Sequence, residues 1–191
     1  MFLSSLRATL LLLVLTGVAY PALVTGIAQL TSPDAAGGSL LENDQGVVIG
    51  SSRIGQSFTT AGYLHGRPSA AGSGYDAAAS SGSNLGVSSK KLTDRRVTEA
   101  ARLRAENPDA VGPVPEVLLA ASGSGLDPEI PPAAALWQVP RIAKARGLDP
   151  ARVEALVEEQ THGRDLGILG EPRLNVLSFN LALDRRFPVP R

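Results

Sequence analysis

One run near the start of the chain restricts its fold more than any other feature. Ala8 to Leu30 contains no Asp, Glu, Lys, Arg or His. About 20 apolar residues in a helix cross a bilayer core that is about 30 Å thick, and a helix satisfies its own backbone hydrogen bonds in lipid. The run therefore predicts a transmembrane helix over residues 8–30, in which Tyr20 lies near an interface and Pro21 introduces a kink.

A cleaved signal peptide is the alternative to a permanent anchor, because such peptides also place an apolar run after a basic residue. Here the apolar character continues through Leu23, Val24 and Ile27, and no small-x-small cleavage pattern follows, so the sequence favours an uncleaved anchor. Small and hydroxyl residues in the run would let a neighbouring helix approach closely, and a purely lipid-facing anchor explains them equally well. They are Thr16, Gly17, Thr25 and Gly26.

The charges beside the run predict its orientation. Arg7 and the amino terminus precede it, and positive charge stays on the cytoplasmic side of a span. The next charges after the run are acidic, namely Asp34, Glu42 and Asp44. The amino terminus is therefore expected inside, with the rest of the chain beyond the cell inner membrane.

This orientation divides the chain into four segments. Residues 1–7 are expected in the cytoplasm and residues 8–30 in the membrane. Residues 31–45, rich in Gly, Ser, Asp and Asn, predict a linker. Residues 46–191 have the length of one compact, soluble extracytoplasmic domain.

Composition excludes several classes of protein. Lys and Arg together number 18, as do Asp and Glu, so no basic face for nucleic acid is expected. The chain has no cysteine, which excludes disulfides, thiolate metal sites and a cysteine nucleophile. Hydrophobic residues make up 43% of the chain, enough for an ordinary core.

Periodicity in the soluble region mixes strand and helix signals, which predicts an α+β fold. Residues 46–58 favour a strand pair or a bulged strand. Residues 61–89 are dominated by Gly, Ser and Ala, as is typical of a long loop. The last element, residues 175–184, fits a strand by alternation and a helix by its Leu spacing.

Four helices are predicted between these segments. The first covers Ser89 to Asn107, and the second is a short element between Pro113 and Ala121. The third runs from Pro132 to Gly147, with a kink or break at Pro140. The fourth begins at Pro150 after an Asp149 cap and ends at His162-Gly163, with Val153, Leu156 and Val157 inside.

Three kinds of active site have sequence patterns that this chain can be compared with. A serine hydrolase needs a nucleophile elbow, but the nearest run to G-x-S-x-G, GSNLG, has Asn at its centre. A Walker loop is absent, and the two histidines have no partner at metal-ligand spacing. The serine and histidine candidates for hydrolysis would be Ser122, Ser124, His65 and His162.

Two Gly/Ser runs leave a binding function open. Backbone N–H groups in such runs can form a nest for an anion or a nucleotide, although simple turns use the same residues. The candidate positions are Ser81, Gly82, Ser83, Asn84, Ser122, Gly123, Ser124 and Gly125. An anchored nucleotide- or anion-binding module is therefore one alternative, and an exported hydrolase is another.

Longer blocks resemble one family. They occur in order along nearly the whole chain, and their combination is far more specific than any short motif. They are TGIAQL at the end of the apolar run, GSSRIGQSF, YLHGRPSAAGSGYD, SSGSNLG, LRAENP, ASGSGLDPEIPPAAALWQVPRIAKARGL and LGEPRLNVLSFNLALD. In these blocks the chain resembles the C subunit of the bacterial Kdp potassium-transporting P-type ATPase.

The resemblance implies a noncatalytic subunit of a high-affinity, ATP-driven potassium importer. The partners implied are a channel-like subunit, a P-type ATPase subunit and a small single-span subunit. The family's C subunit is expected to hold the first two together. It is also expected to act as a catalytic chaperone that raises the affinity of the ATPase subunit for ATP.

Residues in the shared blocks become candidates for partner contacts. We expect this role for Gln56, His65, Arg67, Trp137 and Arg141. The chain is expected to bind no cofactor of its own, and to be linked to ATP only through the complex. A domain outside the membrane cannot touch cytoplasmic ATP, so an effect on ATP affinity would be long-range coupling. The favoured interpretation is therefore that the chain acts in assembly of the complex, together with control of the external potassium entrance.

Overall fold

The apolar run forms a long helix in the computed structural model, which describes residues 2–188. Helix α1 covers Phe2–Val14, a π-helical turn covers Leu15–Ala19, and α2 covers Tyr20–Thr31. Together they make 30 residues, and the most apolar 18-residue window among them has a mean hydropathy of 2.1 and no buried residue. The predicted helix is thus confirmed as a candidate membrane span, and its orientation stays a prediction.

Pro21 explains the π turn. It has no N–H to give the Gly17 carbonyl, the acceptor four residues earlier, and its ring crowds the preceding turn. The chain widens there, and the Tyr20 N–H donates to the Leu15 carbonyl, five residues back. The expected disturbance at Pro21 therefore takes the form of a wider turn just before the proline.

The rest of the chain contains short elements and four longer helices. After α2 comes a single helical turn, α3 (Pro33–Ala36). Compact packing divides the chain into two units between Leu40 and Leu41. The later elements are β1 (Leu40–Glu42), β2 (Val48–Ser51), 3₁₀ turns Ala77–Ala79 and Glu116–Leu118, α4 (Lys90–Glu106), β3 (Glu129–Ile130), α5 (Pro132–Arg146), α6 (Pro150–Gln160), β4 (Leu174–Asn175) and α7 (Val176–Arg186).

The core of the second unit lies where α5 packs on α6, with α7 and the β3–β4 pair closing it. Strands β3 and β4 are antiparallel, with Ile130 opposite Leu174 and both side chains buried. Small and aliphatic residues dominate, which lets the helices approach closely. Fully buried members include Leu64, Ile130, Ile142, Val153, Leu156, Val157, Leu174, Phe179 and Leu183. The mixed α and β content confirms the predicted class.

Local signals explain the helix ends. The Asp149 carboxylate accepts from the Ala151 N–H at 2.9 Å and caps α6, as predicted. Gly147 ends α5 in the left-handed region, at φ 64°, where glycine carries little penalty. The predicted interior residues of α6 are all buried.

The structure decides several details that the sequence left open. Only Val48–Ser51 of the proposed strand pair is a strand, and it pairs with β1 instead. Helix α5 continues through Pro140 without a break, because its buried face is held against α6. The ambiguous last element is a helix that directly follows the two-residue strand β4, since the Asn175 side chain accepts from the Ser178 N–H and caps it.

Candidate functional site

Several of the blocks that carry the family resemblance come together in one region of the second unit. We call it the loop cluster and define it as residues 60–76, 80–84 and 122–127. Only the 3₁₀ turn Ala77–Ala79 interrupts the long loop, so side chains hold it in place. The Ser69 hydroxyl donates to the Gly125 carbonyl at 2.6 Å and accepts from the Tyr75 N–H at 2.8 Å.

The two Gly/Ser runs pack directly against each other. The Ser81 N–H donates to the Ser124 carbonyl at 2.9 Å, and the Ser80 hydroxyl donates to the same oxygen at 3.0 Å. A Cβ on Gly82 would lie 2.9 Å from the Gly123 carbonyl oxygen. A Cβ on Gly125 would lie 2.5 Å from the Ser81 carbonyl oxygen. Glycine is therefore required because two backbones meet here, which accounts for these runs without a bound nucleotide.

An ion pair joins two segments of the loop cluster beside strand β3. Arg67 Nη1 donates to Asp127 Oδ2 at 2.9 Å, and both side chains are largely covered. The Tyr75 hydroxyl donates to the Arg67 carbonyl. Asp127 also accepts from the Glu129 N–H at 3.0 Å, next to the start of β3. A half-buried pair with such additional bonds fixes geometry more than it adds stability.

Arg141, from helix α5, gathers the carbonyl groups of the loop cluster. Its guanidinium donates to the Ala61 carbonyl at 2.6 Å and to the Tyr63 carbonyl at 3.0 Å. It also donates to the Gln138 amide oxygen at 2.8 Å. Burial lowers the pKa of Arg141 to about 10, so the group stays charged at neutral pH. The fork of donors is the reason an arginine suits this position.

Two buried amides complete the attachment of the same segment. Gln138 accepts from the His65 N–H at 2.9 Å and donates to the His65 carbonyl at 3.0 Å. Asn180, from α7, does the same for Leu64, at 2.8 and 3.0 Å. Residues 64 and 65 thus have their backbone groups satisfied by side chains in place of a strand partner. Sequence reasoning did not single out Asn180, since its partner lies 116 residues away.

The His65 ring lies inside this network. Its Nε2 atom is 3.0 Å from the Thr60 carbonyl oxygen and 3.3 Å from Arg141 Nη1. Its Nδ1 atom is 4.0 Å from Glu106 Oε2. Burial, and then the charge of Arg141, lower the pKa of His65 below its ordinary value. The ring is therefore a neutral packing and hydrogen-bonding group at neutral pH.

A cleft of about 200 Å³ opens beside His65 and Arg67. Its rim includes Glu99 and Arg102 from α4, which form an ion pair with each other. Arg102 also pairs with Glu106. The charged side chains at the rim therefore already form ion pairs with each other. A partner would recognise the cleft by its shape and hydrogen-bonding groups, because the rim carries little net charge.

The predicted partner-contact residues differ in exposure. His65, Trp137 and Arg141 are buried within the second unit. Gln56 and Arg67 are half-buried, and the Gln56 amide donates to the Ile49 carbonyl at 2.8 Å. The roles of these five residues in partner contacts stay predictions, and the structure gives each an internal contact as well, including the Arg104 guanidinium 5.4 Å from the Trp137 ring centre.

The catalytic alternative finds little support in the geometry. The close polar neighbours of the His65 ring are Thr60, Arg141 and Glu106, and the His162 backbone pairs with Arg173. Ser122 is buried, at 5% exposure. Within residues 2–188, no three His, Asp or Glu side chains gather as a metal site.

Comparison with known proteins gives a consistent result. The family model for the K⁺-transporting ATPase c chain, KdpC, matches residues 2–185. A potassium-transporting ATPase KdpC subunit from Myxococcus xanthus is 57% identical over 190 residues, covering 99% of this chain and 90% of that protein. KdpC subunits from Rhodospirillum rubrum and Caulobacter sp. strain K31 are 56% and 54% identical, covering 93% and 92% of this chain and 92% and 88% of their own lengths.

Proposed function

Because the chain belongs to the KdpC family of K⁺-transporting ATPase subunits, we propose that it is a noncatalytic subunit that holds the potassium-transporting complex together. The partners proposed are a channel-like subunit, the ATP-hydrolysing P-type subunit and a small single-span subunit. The amino-terminal helix lies in the inner membrane, and the second unit lies outside the cytoplasm beside the potassium entrance.

One observation carries this proposal. The polar residues of the shared blocks are used to bind loop to loop and loop to helix, as the ties of Ser69, Arg141 and Gln138 illustrate. Such a region gives a precisely shaped surface rather than a set of free catalytic groups. A rigid surface on a membrane-anchored unit is suited to bracing larger partners.

The proposal includes an indirect role for ATP. With the second unit outside the cytoplasm, it raises the ATP affinity of the P-type subunit through coupling between two conformations of the complex. The close contact between Gly82 and the Gly123 carbonyl supports this choice over direct nucleotide binding. In that contact the two candidate Gly/Ser runs pack against each other, so each fills the space that a nucleotide would need.

Removal of the chain tests the bracing role. A tag on the ATP-hydrolysing subunit is expected to recover the channel-like subunit from wild-type membranes and to lose it when this chain is omitted. Equal recovery without the chain would contradict the proposal. Dialysis of the purified chain against labelled ATP is expected to show no retention, and specific retention would favour a nucleotide-binding module.

The absence of cysteine makes the orientation directly measurable. Val87 is 98% exposed in the second unit, and Phe2 is 79% exposed at the other end of the chain. A membrane-impermeant maleimide should label Val87→Cys in intact spheroplasts and Phe2→Cys only in inverted vesicles. The opposite labelling pattern would place the second unit in the cytoplasm and contradict its proposed location beside the external potassium entrance.

A further inference from the structure

The middle of the candidate span leaves one backbone carbonyl, that of Thr16, without its usual donor. In an α-helix the Thr16 carbonyl would accept from the Tyr20 N–H. Here Tyr20 donates to Leu15 instead, and Pro21 has no N–H for either Thr16 or Gly17. The Thr16 hydroxyl does not compensate, because it donates to the Leu12 carbonyl at 2.7 Å.

Carbonyl groups of this kind matter in lipid. The hydrocarbon core offers no hydrogen-bond donor, and an unsatisfied backbone group there costs several kcal/mol. Neighbouring helices commonly satisfy the groups that a proline frees. The π turn lies midway along the helix Phe2–Thr31. In a span centred on this helix the turn is beyond the reach of lipid headgroups, and Tyr20 lies deeper than the interface position expected from the sequence.

A hollow on the helix surface lies at the same place. We call it the span notch, and it has a volume of about 390 Å³. Its small floor residue is Ala19, and larger side chains form the walls. It is lined by Leu15, Thr16, Ala19, Tyr20 and Leu23. Thr16, the residue whose carbonyl loses its α-helical donor, is therefore one of the lining residues of an otherwise apolar notch.

We propose that the span notch receives a transmembrane helix of a partner subunit, and that a neutral side chain of that helix donates to the Thr16 carbonyl. Ser, Thr, Asn or Gln fits this requirement, since a charged donor would be far more costly at this depth. The inference rests on the proposed function, which supplies the membrane partners. The unpaired Thr16 carbonyl requires a hydrogen-bond donor, which a protein helix can supply and hydrocarbon cannot.

Filling the notch is the first test. Ala19→Leu occupies its floor, and Ala22→Leu makes the same change three residues away, outside the lining. In complexes isolated through the ATP-hydrolysing subunit, Ala19→Leu should weaken retention of this chain by at least about threefold, and Ala22→Leu should leave it unchanged. Equal retention of both variants, or equal loss in both, would overturn the assignment.

Supplying the missing N–H is the second test. Pro21→Ala allows an ordinary α-helical bond pattern, in which the Thr16 and Gly17 carbonyls are satisfied within the helix. We expect association about threefold to twentyfold weaker, the range for one hydrogen bond between helices. Unchanged association would contradict the role of the carbonyl.

The hydrogen bond itself has a spectroscopic signature. In a chain labelled with carbonyl-¹³C threonine, Thr16→Ser removes only the label at this site, so a difference spectrum isolates its amide band. The band should move to lower frequency when the complex assembles. An unmoved band overturns the inference, as does crosslinking of two copies through Leu23→Cys in place of a partner. Loss of wild-type retention would instead count against the proposed function.

Discussion

At the scale of single residues, buried polar groups of the second unit act as ties for a long loop. Arg141, Gln138 and Asn180 each bind backbone groups of residues 61–65. A buried group of this kind leaves its partners unsatisfied when it is removed, which is more costly than the bond is worth. Replacement of these residues is therefore expected to change the shape of the loop cluster first and, under the proposed function, assembly through that shape.

His65 makes the stability of the chain depend on pH. Burial and Arg141 hold its pKa in the folded chain below the ordinary value of 6.5. The unfolded chain therefore binds this proton more readily, so stability is fully present above about pH 6.5 and decreases as the pH falls. Urea unfolding of the solubilised chain should show this decrease, His65→Gln should reduce it, and His162→Gln should preserve it. A full decrease in His65→Gln would contradict the assignment.

Gly125 and Gly123 form a matched pair for the contact between the Gly/Ser runs. Gly125 has φ +68°, and a Cβ there would lie 2.7 Å from the Ala71 nitrogen as well as close to Ser81. Gly123 has open space around it. Gly125→Ala should lower the free energy of unfolding by about 3 kcal/mol, and Gly123→Ala by less than about 0.5 kcal/mol. Similar losses in urea unfolding would refute the close-packing explanation.

At the scale of elements, packing decides between competing local signals. Helix α5 continues through Pro140 because one side of it is buried, including Val139, Ile142 and Ala143. The segment around Asn175 satisfies both sequence patterns in turn, as a two-residue strand and then as helix α7. Tertiary contacts thus override the rule that proline ends a helix, and they let the strand and helix patterns around Asn175 apply one after the other.

Pro140 should carry a measurable cost. It leaves the Leu136 carbonyl without its helical donor, so Pro140→Ala is expected to raise the free energy of unfolding by about 1–3 kcal/mol. Pro150 is the control, because it occupies the first turn of α6, where a missing N–H costs little. Pro150→Ala should give no gain. A gain of the same size in both variants, measured by chemical unfolding, would rule out this cause.

At the scale of the whole molecule, local rules predicted the helices and missed the connections between distant segments. The span and helices α4, α5 and α6 follow from periodicity, Asp149, Gly147 and the prolines, all of which act over a few residues. The β1–β2 pair was missed because strand pairing is not local. The Gly/Ser runs were identified as candidates, but only the fold shows that one packs on the other. The tie between Leu64 and Asn180 has no signal in local spacing.

The short segment between helix α2 and the second unit has a consequence for binding strength. Helix α2 ends at Thr31 and the second unit begins at Leu41, so the nine residues between them extend at most about 30 Å. In the proposed complex, a helix bound to its partner in the bilayer would hold the tethered unit near a second contact at an effective concentration of about millimolar. Two contacts of low separate affinity would then give one attachment of high overall affinity. Weakening either contact would be expected to release the subunit.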